Sequence, residues 1–243
     1  MLKRLICQCG FELSSPTHFC LNCGKKNAYA CGIFVLNDEV FVKFFGEICE
    51  TLTFKRYEDS AKILYGVLAD KIYERRVEDV YVSSNSEALI HEIKNELENS
   101  FPFNVIATDL FESREVFFER LEKRLKVLRK LETVNIRPEN KIMGHHSTII
   151  GGKDGYRLVL KIAENPYVKK VVPGVIEAGK SSRGGVRIKL TRCDENGNIR
   201  ALLVEGSTVQ QLFVITTASC KEEGEEILKT ISYSLSSNFY SQK

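Results

Sequence analysis

The first 24 residues contain four cysteines whose spacing suits metal chemistry. They occur in the stretch CQCGFELSSPTHFCLNCG as Cys7, Cys9, Cys20 and Cys23. A structural zinc site takes four ligands in a tetrahedron, commonly from two short hooks that a hairpin brings together. Gly10 and Gly24 follow the hooks and let the backbone turn its N–H groups toward the thiolates. The pattern predicts a structural Zn²⁺ site, because four cysteines leave no open position for water.

The segment between the hooks carries Leu13 and Phe19, and with them it resembles the short zinc-ribbon family. The usual form of that family has two CxxCG hooks. This sequence departs from it in the first hook, where Ile6 stands at the family's first cysteine position and Cys7 follows one residue later. His18 is an alternative ligand, although we expect it on the face of the hairpin. Bound zinc would compensate for a core that is too small to fold alone.

The middle of the chain has the alternating apolar segments of an α/β domain. Two apolar runs flank the turn-forming pair Asn37-Asp38, and a third extended run, CETLTFKR, precedes an amphipathic helix. A strand in EDVYVSS, a helix in SEALIHEIKNEL, a strand in FNVIAT and a long helix over 113–133 complete the order. Three strands followed by α-β-α-β-α resemble the ribonuclease H-like fold. The stretch VEDVYVSSNSEALIHEIKNEL also resembles that family's strand-then-helix motif.

The chemistry of the ribonuclease H family does not carry over to this sequence. Those enzymes hold two magnesium ions with clustered carboxylates. The position that matches the strand-end Asp is Asn85, whose side chain is neutral, and Ser60 stands near the place of the first-helix Glu. Glu58 and Asp59 are candidates only out of register. We therefore expect a domain without the catalytic acids and without nuclease activity.

The C-terminal part is predicted to be an α+β sandwich. After a polar linker with Pro138, the patterns predict a short strand at STII and a helix from about Asp154 to Glu164. Strands in VKKVVPGVI, GVRIKLTR, IRALLVEG and VQQLFVIT follow, and a final helix ends near Leu235. The whole chain is thus expected to be a multidomain α/β and α+β protein. Its predicted domains are a zinc ribbon (1–28), a ribonuclease H-like α/β domain (29–134) and a basic α+β sandwich (141–243).

The segments HSTIIGG, VKKVVPG, RIKLTR and VQQLFVIT, in this order, resemble an uncharacterised family of predicted metal-binding proteins from archaea and cyanobacteria. The resemblance supplies no activity, but it implies a second metal site at His145 and His146, with Cys193 or Cys220 as further candidates. Adjacent residues of a strand point to opposite faces, so both histidines can ligate one metal only in a loop. The alternative is a structural role for one histidine beside a glycine turn. From the residues themselves, Cys31, Cys49, Cys193 and Cys220 are expected to be small core residues, because none of them has a paired hook.

The segment GKSSRGGVRIKLTR concentrates cations in the C-terminal domain. Its basic residues are Lys180, Arg183, Arg187, Lys189 and Arg192. Free backbone N–H groups of the Gly-Ser loop and these cations can converge on an anion. On the strand, Arg187, Lys189 and Thr191 alternate onto one face, opposite the apolar residues. This face is predicted to contact nucleic-acid phosphates, and the alternative is an ordinary solvated sheet face.

The composition is that of a globular protein, with 43% hydrophobic and 28% charged residues and a net charge of +3. The start lacks a signal-peptide pattern, and no stretch approaches the roughly 18 apolar residues of a membrane helix, so we expect a cytoplasmic protein with reduced thiols. The leading hypothesis is a zinc-binding, non-catalytic nucleic-acid-binding protein, with RNA favoured. One alternative is a metal-dependent enzyme that uses His145 and His146, with Asp154 or Glu177 as acid or base. The other is an adaptor that binds a protein partner through the ribbon.

Overall fold

The computed structural model describes residues 5–100, 102, 104–142, 148–178 and 185–236. The chain divides into two compact units, Met1–Lys123 and Arg124–Lys243. Each unit has its own buried apolar cluster. The finer division into three domains stays a prediction. Within the described ranges, none of the helices is both long enough and apolar enough to span a bilayer.

The first unit combines a small hairpin with a five-stranded sheet. The hairpin strands are β1 (Leu5–Ile6) and β2 (Glu12–Leu13), and the sheet strands are β3 (Ala28–Val35), β4 (Glu39–Gly46), β5 (Glu50–Lys55), β6 (Asp79–Ser84) and β7 (Asn104–Ala107). The sheet order is β5-β4-β3-β6-β7; the first three strands in the chain are antiparallel, while β6 and β7 run parallel to β3. The helices are α1 (Ala61–Tyr73), α2 (Glu87–Ser100) and α3 (Arg114–Leu128), the last of which continues into the second unit. The predicted element order is confirmed.

Strand β3 is central and buried along nearly its whole length, as expected for a strand covered on both faces. Residues of α1 and α2 pack on one face, in a cluster that includes Ile33 and Val35. On the other face, a Cβ at Gly32 would lie 2.8 Å from a methyl carbon of Leu121 of α3 and 3.2 Å from Phe45, so a larger residue would push these side chains aside. The small residue thus lets α3 pass close to the sheet.

The second unit is an antiparallel sheet with helices on one face. Its strands are β8 (Val168–Ala178), β9 (Arg187–Cys193), β10 (Ile199–Glu205) and β11 (Thr208–Thr216), in the order β8-β11-β10-β9. Its helices are α4 (Pro138–Lys141), α5 (Gly152–Glu164) and α6 (Lys221–Ser236). Apolar residues of α5 and α6, such as Ile162 and Ile231, share a core with the inward residues of the strands, such as Leu203 and Val214. The helices cover one face of the sheet, as predicted. The opposite face is the outer face of the sheet.

The predicted strand at STII is wrong for its described part. Thr148 and Ile149 are irregular, and Ile150 lies in a turn before α5. A strand is not needed there because the buried side chain of Gln210 binds this backbone directly. Its amide donates to the Thr148 carbonyl at 2.7 Å and accepts from the Ile150 N–H at 3.1 Å. The segment is therefore held by a side chain rather than by a ladder of backbone hydrogen bonds.

Candidate metal centre and basic sheet face

The hairpin β1–β2 and the following loop bring the four hook cysteines together. Their sulfur atoms all lie within 4.8 Å of one another. The Sγ atoms of Cys7 and Cys23 are 3.7 Å apart, and those of Cys9 and Cys20 are 3.6 Å apart. Zinc–sulfur bonds of about 2.3 Å place two sulfurs of a tetrahedron roughly 3.8 Å apart. The cysteine cluster therefore fits a tetrahedral metal ion.

Two glycines shape the backbone of the hooks. Gly10 (φ +88°) and Gly24 (φ +73°) adopt the left-handed conformation that other residues avoid. Their N–H groups donate to the carbonyls of Cys7 at 2.8 Å and of Cys20 at 2.9 Å, which closes each hook. The shortened first hook is accommodated because its glycine turn closes directly onto Cys7, and Ile6 at the preceding position points largely into solvent, 61% exposed.

Hydrogen bonds to the sulfurs favour the thiolate form that a metal needs. The Asn22 amide and then the Phe11 backbone N–H lower the pKa of Cys9 to about 6. The Lys25 backbone N–H also lowers the pKa of Cys23, but the neighbouring Cys20 and Cys9 thiols raise it to about 12. The Cys9 and Cys23 thiols thus lose their protons in separate steps. A bound cation would offset the repulsion between neighbouring thiolates, because it pairs with all of them.

A buried polar network attaches the ribbon, residues 5–27, to β5 and α1. Its centre is Arg75, which is only 2% exposed. The guanidinium donates to the Thr17 hydroxyl at 2.8 Å and to a Glu50 carboxylate oxygen at 2.9 Å. Ser15 donates to the same carboxylate oxygen at 2.7 Å, and Thr17 donates to it as well. A third guanidinium nitrogen donates to the Lys71 carbonyl at 2.7 Å.

The network also controls the ionisation of Glu50. Burial raises the pKa of this carboxyl, but hydrogen bonds from Thr17, Arg75 and Ser15 outweigh it and hold the pKa below its ordinary value of 4.5. The side chain is therefore ionised in the folded protein near neutral pH. A charged Glu50 in turn keeps the buried Arg75 paired, which is the arrangement that a buried ion pair requires.

His18 belongs to this attachment rather than to the metal cluster. Its Nε2 lies 3.5 Å from a carboxylate oxygen of Glu74. Burial, followed by the charge of Arg75, lowers the pKa of His18. In the part of the chain that the structure describes, three or more metal-ligating side chains come together only at the four cysteines. His18 is thus not among the clustered metal-ligating side chains, and it lies beside Glu74 rather than on the β1–β2 hairpin.

The end of β6, where the ribonuclease H resemblance expects an acid, is neutral. Ser84 donates its hydroxyl proton to the carbonyl of Val35 at 2.7 Å and so ties the ends of β6 and β3 together. Its Oγ also accepts from the Ser86 N–H at 3.1 Å, just before α2 begins. Asn85 follows the strand without a charge to offer a metal. This strand end is thus held by neutral hydrogen bonds.

The described cations of the predicted nucleic-acid site lie on β9, at an edge of the second sheet. Arg187, Lys189 and Arg192 are all exposed, and Ile188 and Leu190 between them pack toward the core. The strand has a register shift at Thr191, so that Leu190 pairs with Ala201 and Arg192 pairs with Arg200. The Thr191 hydroxyl donates to the Arg200 carbonyl at 2.8 Å. This β-bulge brings Arg192, rather than Thr191, into line with Lys189.

Cross-strand pairing extends this basic edge into a basic sheet face. Residues directly opposite each other on antiparallel strands share a face. Three rows of partners cross the sheet from β9 toward β8. The first row is Arg192, Arg200, Phe213 and Val172, and the second is Lys189, Leu202 and Gln211. The third row is Arg187, Val204, Val209 and Glu177. Lys170, opposite Ile215, adds a further cation. Five cations and one carboxylate therefore occupy the outward positions named here, which we call the outer face.

Several predicted residues lie outside the described residues. They are Lys180, Arg183, His145 and His146. The second metal site, and the contribution of the Gly-Ser loop, therefore stay predictions. Sequence reasoning missed Arg200 and Phe213, although the alternation in IRALLVEG and VQQLFVIT already predicts that they point outward. It also missed Arg75, for which the local pattern carries no sign of burial.

The C-terminal part matches a known family. The family model described as "Predicted metal-binding protein (DUF2103)" covers residues 137–233. This match confirms the resemblance to an uncharacterised metal-binding family. The matched range begins far beyond the four cysteines, so the family match and the cysteine cluster support metal binding separately. Comparisons with curated proteins and with solved structures gave no match.

Proposed function

We propose that this protein binds one structural zinc ion through its four hook cysteines and binds nucleic acid, RNA in preference, through the outer face, without catalysing a reaction. The observation that carries the proposal is the charge of that face. Its outward positions hold five cations from three strands against a single carboxylate, Glu177. Such a concentration of cations on one open sheet face suits the phosphates of a nucleic acid.

Zinc is the ion that best suits the cysteine cluster. Four thiolates in a tetrahedron are the ligand set of structural zinc sites, and hard cations such as magnesium prefer oxygen ligands. The ion would hold the two hooks together, and the network at Arg75 would hold the ribbon on β5 and α1. All eight cysteines are free thiols, which suits a reducing compartment, and we place the protein in the cytoplasm.

We also infer that the five-stranded sheet is a ribonuclease H-like domain without catalytic function. The order of strands and helices, with three antiparallel strands followed by two parallel ones, supports this inference. The neutral Asn85 after β6 supports the absence of the two-metal chemistry, because an amide cannot supply the charge that holds magnesium ions. The domain would then serve to hold the zinc ribbon, which is attached to its β5 and α1.

Fluorescence anisotropy with labelled single-stranded RNA, duplex RNA and duplex DNA tests nucleic-acid binding. We expect micromolar or tighter binding that weakens steeply with salt. The triple variant R187A/K189A/R192A should bind at least ten-fold more weakly. A matched control, K62A/K123A/K229A, removes the same charge from exposed positions outside the outer face and should bind as the wild type does. Equal affinity of the two triple variants would refute the assigned surface, and absence of binding to all three nucleic acids would refute the function.

A protein partner at the ribbon is the second candidate. The observation that favours it is the exposure of apolar side chains at both hooks, since Leu21 is 76% exposed and Ile6 is 61% exposed. Apolar side chains at a surface are common, but two of them beside a rigid metal site form a plausible contact. A partner that the wild-type chain binds and that L21S loses, with zinc content unchanged, would support this candidate.

A further inference from the structure

We propose that the outer face binds a single strand in one defined arrangement, in which Arg192 and Arg200 together hold a backbone phosphate and the ring of Phe213 stacks on the neighbouring base. This inference rests on the proposed nucleic-acid binding and specifies its target and its contacts. It starts from a feature that the fold alone does not explain, which is a pair of arginines placed directly opposite each other on β9 and β10.

Two like charges at directly opposite positions of an antiparallel pair destabilise a sheet. The β-bulge at Thr191 creates this arrangement, because it aligns Arg192 with Arg200. Three carboxylates line a depression together with both arginines: Asp194, Glu195 and Glu225. Asp194 accepts from the backbone N–H groups of Asn196 and Asn198, and Glu195 pairs with Lys221. Within the described residues, neither guanidinium forms an ion pair with a carboxylate. A phosphate between the two guanidinium groups would turn their repulsion into two charge-assisted contacts.

An aromatic ring lies next to this arginine pair. Phe213 is the cross-strand partner of Arg200 on β11, and the guanidinium carbon of Arg200 lies 5.6 Å from the centre of its ring. The ring is half-buried and rests over Gly174 of β8, where an added Cβ would lie 2.9 Å from it. The glycine thus lets the ring settle against the sheet. A depression of about 210 Å³ is lined by both arginines, Gln211 and Phe213.

This combination favours a single strand over a duplex. An unpaired base can leave its stack and pack on an aromatic or guanidinium plane, whereas a base within a duplex cannot. The amide of Gln211 can donate to and accept from the edge of such a base. Along β9, successive cations on one face lie about 7 Å apart, so Lys189 and Arg187 can contact further phosphates of an extended strand. The face of a four-stranded sheet, in contrast, is wider than the helix or two-stranded ribbon that a major groove admits.

The first experiment uses the absence of tryptophan from this chain. In the variant F213W, the single tryptophan reports stacking directly through its fluorescence. We expect a 12-nucleotide single-stranded RNA to quench this emission in parallel with the anisotropy rise of the labelled strand, and we expect the duplex of the same sequence to quench it little. Unchanged emission during binding of the single strand would overturn the stacking, as would equal quenching by the duplex, while nucleic-acid binding itself would stand.

The second experiment measures affinity for the same single strand. F213L removes the ring and keeps an apolar side chain, and we expect it to weaken binding roughly 5- to 100-fold. The matched control is F111L, because Phe111 is also half-buried and has an arginine, Arg120, at 5.4 Å from its ring. The control should bind as the wild type does. Equal losses in both variants would overturn the assignment.

The arginine pair makes its own prediction. If Arg192 and Arg200 share one phosphate, R192Q and R200Q should each weaken binding at least five-fold, and the double variant should be much less affected than the product of the two losses. The slope of log affinity against log salt should fall by about 0.7, the value for one phosphate of a single strand. Fully multiplicative losses with a slope change of about 1.4 would overturn the shared phosphate. No binding by the wild-type chain would overturn both this arrangement and the proposed function.

Discussion

Replacing Arg75 with methionine is expected to release the ribbon from β5 and α1. The guanidinium contacts the ribbon, β5 and the end of α1 together, through Thr17, Glu50 and the Lys71 carbonyl. It also lies 4.1 Å from the centre of the Phe44 ring. Methionine keeps an unbranched apolar chain at this buried position, so the change removes the hydrogen bonds and the charge while it leaves little empty space.

The size of the effect follows from what the substitution leaves behind. The Glu50 carboxylate loses its cation, and the Thr17 hydroxyl loses one hydrogen-bond donor, in a region that water enters poorly. Breaking a buried ion pair by removal of one partner destabilises proteins by about 3–5 kcal/mol. We expect the free energy of unfolding of the first unit to fall by about this amount. Because urea m-values of small proteins are about 1–3 kcal/mol/M, the urea midpoint should fall by roughly 1–2 M or more.

Urea unfolding followed by circular dichroism measures this change, and a colorimetric chelator measures how fast zinc leaves the protein. The matched control is K62M, which replaces another cation near the same helix at a position whose side chain is 84% exposed. Exposed ion pairs contribute about 0–1 kcal/mol, so the control should stay close to the wild type. We expect R75M to lose zinc faster than the wild type, because the detached ribbon opens more often.

A double variant separates charge pairing from a general packing defect. E50Q/R75M also removes the carboxylate, so no unpaired buried charge remains and part of the lost stability should return. If R75M and K62M have midpoints within about 0.3 M of each other, the network does not attach the ribbon and our reading of it is wrong. The same holds if the double variant is less stable than the wild type by the full sum of the losses in R75M and E50Q.

Four further changes give sharp outcomes. The folded-state pKa of Glu50 lies below its ordinary value of 4.5, so the stability that Glu50 contributes is complete above about pH 4.5 and is lost as the pH falls through the lowered pKa. The urea midpoint of the wild type should therefore fall at low pH, and E50Q should lack the part of this fall that Glu50 causes. C20S should lose the ribbon zinc in metal analysis, whereas the exposed C49S should retain it. G66A, in α1 with nothing within 4 Å of the new methyl group, should stabilise the protein by about 0.5–1 kcal/mol in urea unfolding. G155A should destabilise it by about 1–3 kcal/mol or more, because its Cβ would lie 1.9 Å from the Ile150 carbonyl oxygen.

Local patterns predicted the parts of the molecule that depend on nearby residues. The cysteine hooks, the hairpin at Asn37-Asp38 and the order of strands and helices follow from spacing and periodicity within short windows. Three features depend on distant residues and escaped prediction. Arg75 is buried because the ribbon and β5 cover it, Arg192 faces Arg200 because of a bulge between two strands, and the STII segment is held by Gln210, 60 residues away from Ile150. No local pattern specifies such partners.

The cysteine cluster and the family match both indicate metal binding, but they lie in different parts of the chain. A bound metal must therefore be assigned to one part or the other by experiment. The hook cysteines have the geometry of a complete four-ligand site, which needs nothing from residues 137–233, where the family match lies. A chain without the hook thiolates would therefore keep any metal that belongs to the matched part. Zinc lost entirely by C20S assigns the metal to the ribbon and leaves the outer face free of metal chemistry. Metal retained by C20S would assign a second ion to the matched part, where His145 and His146 are the predicted ligands.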